Sequence, residues 1–191
     1  AISDKITVYA GDEARVRAVG DGAAVFDGSG SDKRAFLVSG SLELVGPLVI
    51  ENLLLAVAGA CAKVQNGGVL AATDVAFRGN AGSNGVAVYA TGQAAVFLTS
   101  CAFLRNVATS QGGAIYASDA YVSLVGINAT RNTGEGGFLY ATSASLIELR
   151  SSLVAENVAL TNGGGFVTSR TSTRAPSPRR PAPWSPWTTA P

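Results

Sequence analysis

Phe77-Arg-Gly-Asn80, Phe103-Leu-Arg-Asn106 and Gly112-Gly-Ala-Ile115-Tyr116 decide how this chain is read. An apolar residue three before an asparagine recurs as Val49-x-x-Asn52, Phe77-x-x-Asn80, Phe103-x-x-Asn106, Ala129-x-x-Asn132 and Val154-x-x-Asn157. The asparagines lie 28, 26, 26 and 25 residues apart. A few residues after each comes a glycine or small pair and then an apolar run. These runs are Gly59-Ala-Cys61-Ala62, Gly85-Val-Ala-Val-Tyr89, Gly112-Gly-Ala-Ile-Tyr116, Gly136-Gly-Phe-Leu-Tyr140 and Gly164-Gly-Phe-Val167. A third segment precedes each asparagine, such as Ala95-Val-Phe-Leu98 or Ser145-Leu-Ile-Glu-Leu149. Two linked motifs returning in phase at a fixed period are the mark of a repeat architecture.

Each repeat reads as three short strands bounded by Gly, Ser, Asn and Thr. No window shows a sustained helical period with caps. Three strands in some 25 residues cannot bury a face alone, but stacked copies can. Each strand then pairs in parallel with its equivalent one coil on, and the other sides of the coil supply the crossover. The predicted fold is all-β, a right-handed parallel β-helix with a continuous interior. Glycine pairs suit corners that need a positive backbone angle. An asparagine recurring at one turn position can adopt that angle too, and its amide can form a ladder through the coils. Phe77, Phe103, Ile115, Leu139, Leu146 and Val167 are the expected interior columns. Ala129 marks a thin layer, with Ile127 as the expected compensation. Ile6–Tyr9, Arg15–Arg17, Ala23–Phe26, Phe36–Val38 and Leu42–Leu44 are strand candidates of looser first coils. Six to seven coils make a rod about 30 Å long.

The composition agrees with this reading. The chain has 191 residues, 47% of them hydrophobic and 14% charged. That is enough apolar material for a core and too little charge for wholesale disorder. It contains no histidine, which excludes imidazole bases and ligands, and its two cysteines exclude a disulfide-dense scaffold. The absence of methionine makes the chain read as processed, trimmed or a fragment. No signal peptide and no apolar run of about 20 residues is visible. Residues 170–191 hold Arg170, Arg174, Arg179 and Arg180 and no carboxylate. Setting these four aside from the 14 basic residues leaves 10 against 13 acidic, a net of −3 for the body. The expected division is 1–168 for the β-helix, with 1–40 irregular and 41–168 clearly repeated. Residues 169–191 are expected to be a disordered Pro/Arg-rich tail. The tail holds all prolines but Pro47, and also Trp184 and Trp187. No ladder survives that proline density. It reads as a linker or loose end, as a reading-frame product that cuts the solenoid short, or as a proline-rich docking segment.

Phe103-Leu-Arg-Asn106 followed by Gly112-Gly-Ala-Ile115, with Phe77-Arg-Gly-Asn80, resembles the FxxN and GGA[ILV] repeats of chlamydial polymorphic membrane proteins. Those repeats build secreted, surface-exposed β-helical passenger domains, many of them adhesins. Similar repeats occur in bacterial and algal extracellular proteins of the pectate-lyase-like superfamily. The resemblance covers roughly residues 41–168 and departs from the pattern at Ala129 and Val154. It carries no autotransporter barrel. It implies a β-helix and an adhesive, extracellular or cell-surface role.

Carbohydrate chemistry on a β-helix needs several carboxylates on one face of adjacent coils. Asp74, Asp119 and Glu148 do not share a phase. Glu51, Gly79, Arg105, Arg131 and Glu156 are expected to stack as one mixed column, which reads as a solvated face with modest ion pairs. No catalytic, cofactor or metal residue is assigned, and no cofactor is expected. If the chain did cleave a polymer, Asp74, Glu148 and Glu156 would be the carboxylates to examine. Cys61 and Cys101 fall on different sides of the coil and read as small core residues without a bridge. Asn128-Ala-Thr130 has the N-glycosylation pattern but lies in a predicted strand, which reads against its use. Thr99, Ser100, Ser118, Thr142, Ser143 and Thr168 recur without the regular Thr-x-Thr array of an ice-binding face. Four tail arginines without a folded reader provide no specific nucleic-acid recognition. The expectation is a non-catalytic structural or adhesive solenoid whose flat faces meet protein or glycan. A polysaccharide lyase or glycoside hydrolase of the same fold is the alternative. Open ends, as exposed strand edges, invite end-to-end contact.

Overall fold

The computed structural model describes residues 5–19 and 22–161 and, for the backbone alone, 166–168. The regular structure of these residues is all β, in a parallel solenoid. A first side stacks Ile6–Val8, Phe36–Val38, Ala62–Val64, the starts of Val88–Thr99 and Ile115–Val125, Leu139–Thr142 and Phe166–Thr168. A second side stacks Glu13–Arg17 on residues 41–45, 69–73, 95–99 and 121–125 and on Leu146–Arg150. A third stacks Ala24–Asp27 on residues 48–51 and 75–78, then Ala102–Leu104, Asn128–Thr130 and Leu153–Ala155. A shorter fourth side, which the three-strand reading did not include, stacks Ala81–Gly82, Val107–Gln111, Thr133–Glu135 and Val158–Ala159.

Alternation along each strand sends every second side chain inward. Leu42, Leu70, Val96 and Val122 form one buried column, and Leu44, Ala72, Leu98 and Leu124 the next. Full burial of each such leucine or valine stabilises by about 1.5–3 kcal/mol. The corners are made by left-handed residues at a fixed phase. Gln93, Asp119 and Ser143 turn the first side into the second, and Asp74, Ser100, Gly126 and Ser151 the second into the third. Asn52, Gly79, Arg105, Arg131 and Glu156 make the third corner. Gly59, Gly85, Gly112 and Gly136 make the fourth. Gly113 has another reason to be glycine: a Cβ there would run into the carbonyl oxygen of Gly137 one coil on.

Four expectations need correction. The left-handed residue is the one before the repeated asparagine, and Asn80, Asn106 and Asn132 themselves are fully buried. Asn52 does not belong to their column. Ile50, not Val49, pairs with Phe77, so Asn52 falls on the Gly79 corner and Leu53 takes the asparagine position. Core packing decides this, because a one-residue slip would turn Ile50 outward. Leu146 pairs with the outward Tyr121 and is 45% exposed, while Ile147 and Leu149 continue the interior columns. Val167 pairs with Tyr140, and Phe166 with the buried Leu139. The layer thinned by Ala129 holds the buried Ile127, as expected, and also Phe138, whose ring lies 5.4 Å from that of Phe103. Gly164, Gly165 and the tail from Ser169 lie outside the described residues.

Candidate binding faces

The asparagine ladder positions everything else. The Asn80, Asn106 and Asn132 backbone N–H groups donate to the Oδ1 of Asn106, Asn132 and Asn157, at 3.3, 3.0 and 2.9 Å. The same three oxygens accept from the side-chain Nδ2 groups, at 3.1, 2.9 and 2.9 Å. Each Nδ2 also donates back to a carbonyl of the preceding coil: Asn80 to Ile50, Asn106 to Phe77, Asn132 to Phe103 and Asn157 to Ala129. A buried amide is tolerated only when its donors and acceptor are met, and here the repeat itself meets them. The ladder stops at Leu53, whose N–H donates to Asn80 Oδ1 at 3.0 Å. Beside it the phenylalanines stack, with the Phe77 and Phe103 rings 5.1 Å apart and 9° from parallel. This wall lies directly behind the third corner, whose residues precede the ladder asparagines by one.

On that corner stand Asn52, Gly79, Arg105, Arg131 and Glu156, all exposed. Arg131 Nε donates to Glu156 at 2.7 Å. Glu51 is not part of this column. It pairs in register with Arg78 on the third side and bonds to it there. Two residues beyond the corner, the outward column of the fourth side runs Leu54, Ala81, Val107, Thr133, Val158 in register. Leu54 is 68%, Val107 44% and Val158 53% exposed. A mainly apolar stripe, interrupted by Thr133, thus runs along the solenoid beside a charged ridge.

The first side presents a different outer surface. Tyr89, Tyr116 and Tyr140 share a column, with ring centroids 4.9 and 6.0 Å apart and planes 8° and 5° from parallel. Lys63, one coil before, sits 5.9 Å from the Tyr89 ring centroid, a cation over an aromatic face. Burial, with Tyr116 next to it, pushes the Tyr89 hydroxyl above its ordinary value. Stacking covers the ring faces between Tyr89, Tyr116 and Tyr140, and all three rings are half-buried on the outer surface of the strand. Thr91, Ser118 and Thr142 run in register two residues on. Ser118 and Ser143 hydroxyls bond at 3.2 Å. All three tyrosines close the glycine-pair motifs quoted above, so the sequence carries the signal for this column in the last residue of each motif. On the second side Phe97 and Tyr121 meet at 5.6 Å, and Glu148 bonds to Arg150 at 3.3 Å.

The carboxylates are dispersed. Asp74 and Asp119 are corner residues on different edges, Glu156 is on a third, and Glu148 lies on an outer strand. Among the described residues no group of three or more carboxylate or thiol side chains is placed to hold a metal ion. Cys61 and Cys101 are buried and unbridged. Burial raises both thiols, Cys101 to about 11. Thr99 pairs with Thr73 and Val125, and Ser100 turns a corner, so these hydroxyls do not join the Ser118–Thr142 column. Among the described residues no helix is long and apolar enough to cross a membrane. Comparison with family models, with curated proteins and with solved structures returned no match.

Proposed function

We propose that the chain is a non-catalytic, extracellular or cell-surface solenoid whose role is structural and adhesive, with its flat faces meeting protein or glycan. One observation carries this most: the outward column of the fourth side, where Leu54, Val107 and Val158 are exposed in register with the half-buried Ala81 and Thr133 between them. Exposed apolar side chains gathered on one face, rather than scattered singly, favour a role for that face in interaction. Arg105 and Arg131 on the neighbouring ridge add a residue type enriched at protein interfaces. The tyrosine column with its hydroxyl neighbours is a second face, polar enough for sugars. The likeness of the FxxN and GGAI repeats to chlamydial adhesin repeats, and to pectate-lyase-like β-helices, supports the same reading. The separation of Asp74, Asp119, Glu148 and Glu156 onto different edges speaks for binding rather than cleavage.

The test is binding and cleavage measured in parallel. The purified chain is offered immobilised extracellular-matrix proteins and a panel of acidic and neutral polysaccharides, with calcium present. Saturable binding to a panel member without cleavage, weakened at least tenfold by Val107→Glu, is the expected result. Cleavage of any polymer overturns the reading.

A further inference from the structure

We propose that Asn128 is an N-glycosylation site that the folded solenoid accommodates. The inference rests on the extracellular reading above. The chain has nine asparagines, and only Asn128 is followed two residues on by serine or threonine. The ladder asparagines are spent inward on one another. Asn128 lies four residues before Asn132, on the opposite pleat of Asn128–Thr130 from the buried Ala129. It is exposed, and Thr130 is partly exposed on the same outer surface. Location in a strand therefore does not hide the acceptor, because alternation puts both its reading residues outside. Among the described residues neither side chain has a hydrogen bond, whereas the Asn52 and Asn84 amides are held by Asp27 and Gln111.

The surroundings favour a glycan. The outward column of the third side runs Val25, Val49, Ala76, Ala102, Asn128, Leu153. Asn128 is its single polar member. The small Ala102 stands on one side of it, and Leu153, 58% exposed, on the other. A bulky, hydrated substituent on Asn128 leaves the core untouched and covers that leucine. In the transfer, the amide Nδ2 attacks C1 of the reducing-end sugar of a lipid-pyrophosphate oligosaccharide. The C1–N bond forms, the C1–O bond to pyrophosphate breaks, the amide loses one proton, and lipid pyrophosphate leaves.

The experiment expresses the full chain behind a heterologous signal peptide in a eukaryotic secretory line and measures intact mass with and without peptide-N-glycosidase. One enzyme-removable addition is expected, absent in Asn128→Gln and in Thr130→Ala. Secreted chain left unmodified at Asn128 overturns the proposal. A second readout holds if secretion fails. Asn128→Cys in bacterially produced, folded protein reacts with a maleimide polymer as fast as an unfolded thiol, while buried Cys61 and Cys101 stay silent. Labelling of residue 128 slowed tenfold or more relative to the denatured protein overturns the accommodation. Modification without any panel binding leaves this site standing and sinks the adhesive reading, so the two fail separately.

Discussion

The asparagine ladder and the phenylalanine column climb the same wall of the solenoid and answer a missing rung in opposite ways. Where the phenylalanine column loses a ring at Ala129, Phe138 reaches in from the neighbouring side and meets Phe103. In the other coils Phe138's position holds Cys61, Ala87 or Ala114, small where the third side is large. Dispersion has no direction, so volume lost on one wall is replaced from another. The amide ladder has no such freedom. At Leu53 it ends, keeping only the backbone donor to Asn80, and the leucine side chain packs where Gly28 lacks a Cβ. A polar column ends or continues, and it does not skip.

The largest effect expected from this contrast is at a central rung. Asn106→Ala removes an acceptor used twice and a donor used twice, all buried. It is expected to cost about 3–5 kcal/mol in denaturant unfolding. Asn157→Ala, at a partly buried rung whose Oδ1 accepts from Asn132, is expected to cost about 1–2 kcal/mol. Equal losses at the two positions would mean that the ladder does not act as a buried network.

Next comes the apolar side of the comparison. Phe138→Ala is expected to cost about 3–5 kcal/mol, and Ala129→Phe alone about 1–3 kcal/mol from overpacking. The double variant restores the large–small pairing of Phe103 with Ala114, so a favourable coupling of about 1–3 kcal/mol is expected in the mutant cycle. Strict additivity would show that the two sides do not trade volume.

The smallest effect concerns Asn52, the asparagine outside the ladder. Its Nδ2 bonds to Asp27 at 3.1 Å instead. The Ser29 hydroxyl and backbone N–H, with Asn52 third, hold the Asp27 carboxyl at about 2 against an ordinary 3.8. A depressed carboxylate contributes stability that is fully present above its unfolded value. That contribution is lost as pH falls from about 3.8 towards about 2. In a carboxyl NMR titration, Asn52→Ala is expected to raise the midpoint modestly and leave it below 3.8. A return to the full ordinary value would put the amide, not Ser29, in control.

What the sequence made legible follows the same division. The FxxN phase and the glycine corners could be read because Phe77, Phe103, Asn80, Asn106 and Asn132 each need one environment and repeat it. Register was ambiguous where two apolar residues adjoin. Val49-Ile50 and Leu146-Ile147 both offer an inward candidate at either phase, and only packing against Phe77 and Val122 chooses. The role of Phe138 was hidden because its partner layer belongs to another side of the coil. The outer faces were hardest to read: Leu54, Val107 and Val158 look like core until the fourth side is seen to turn them out.

The in-register parallel stacking also has a mechanical consequence. Each coil is held by its two neighbours alone, so tension applied at the chain ends peels rungs off singly instead of shearing the whole rod at once. With rungs some 26 residues apart, each one released lengthens the chain by about 85–90 Å. Under load, such a molecule would behave as a stepwise extensible tether that dissipates force while its remaining coils stay folded.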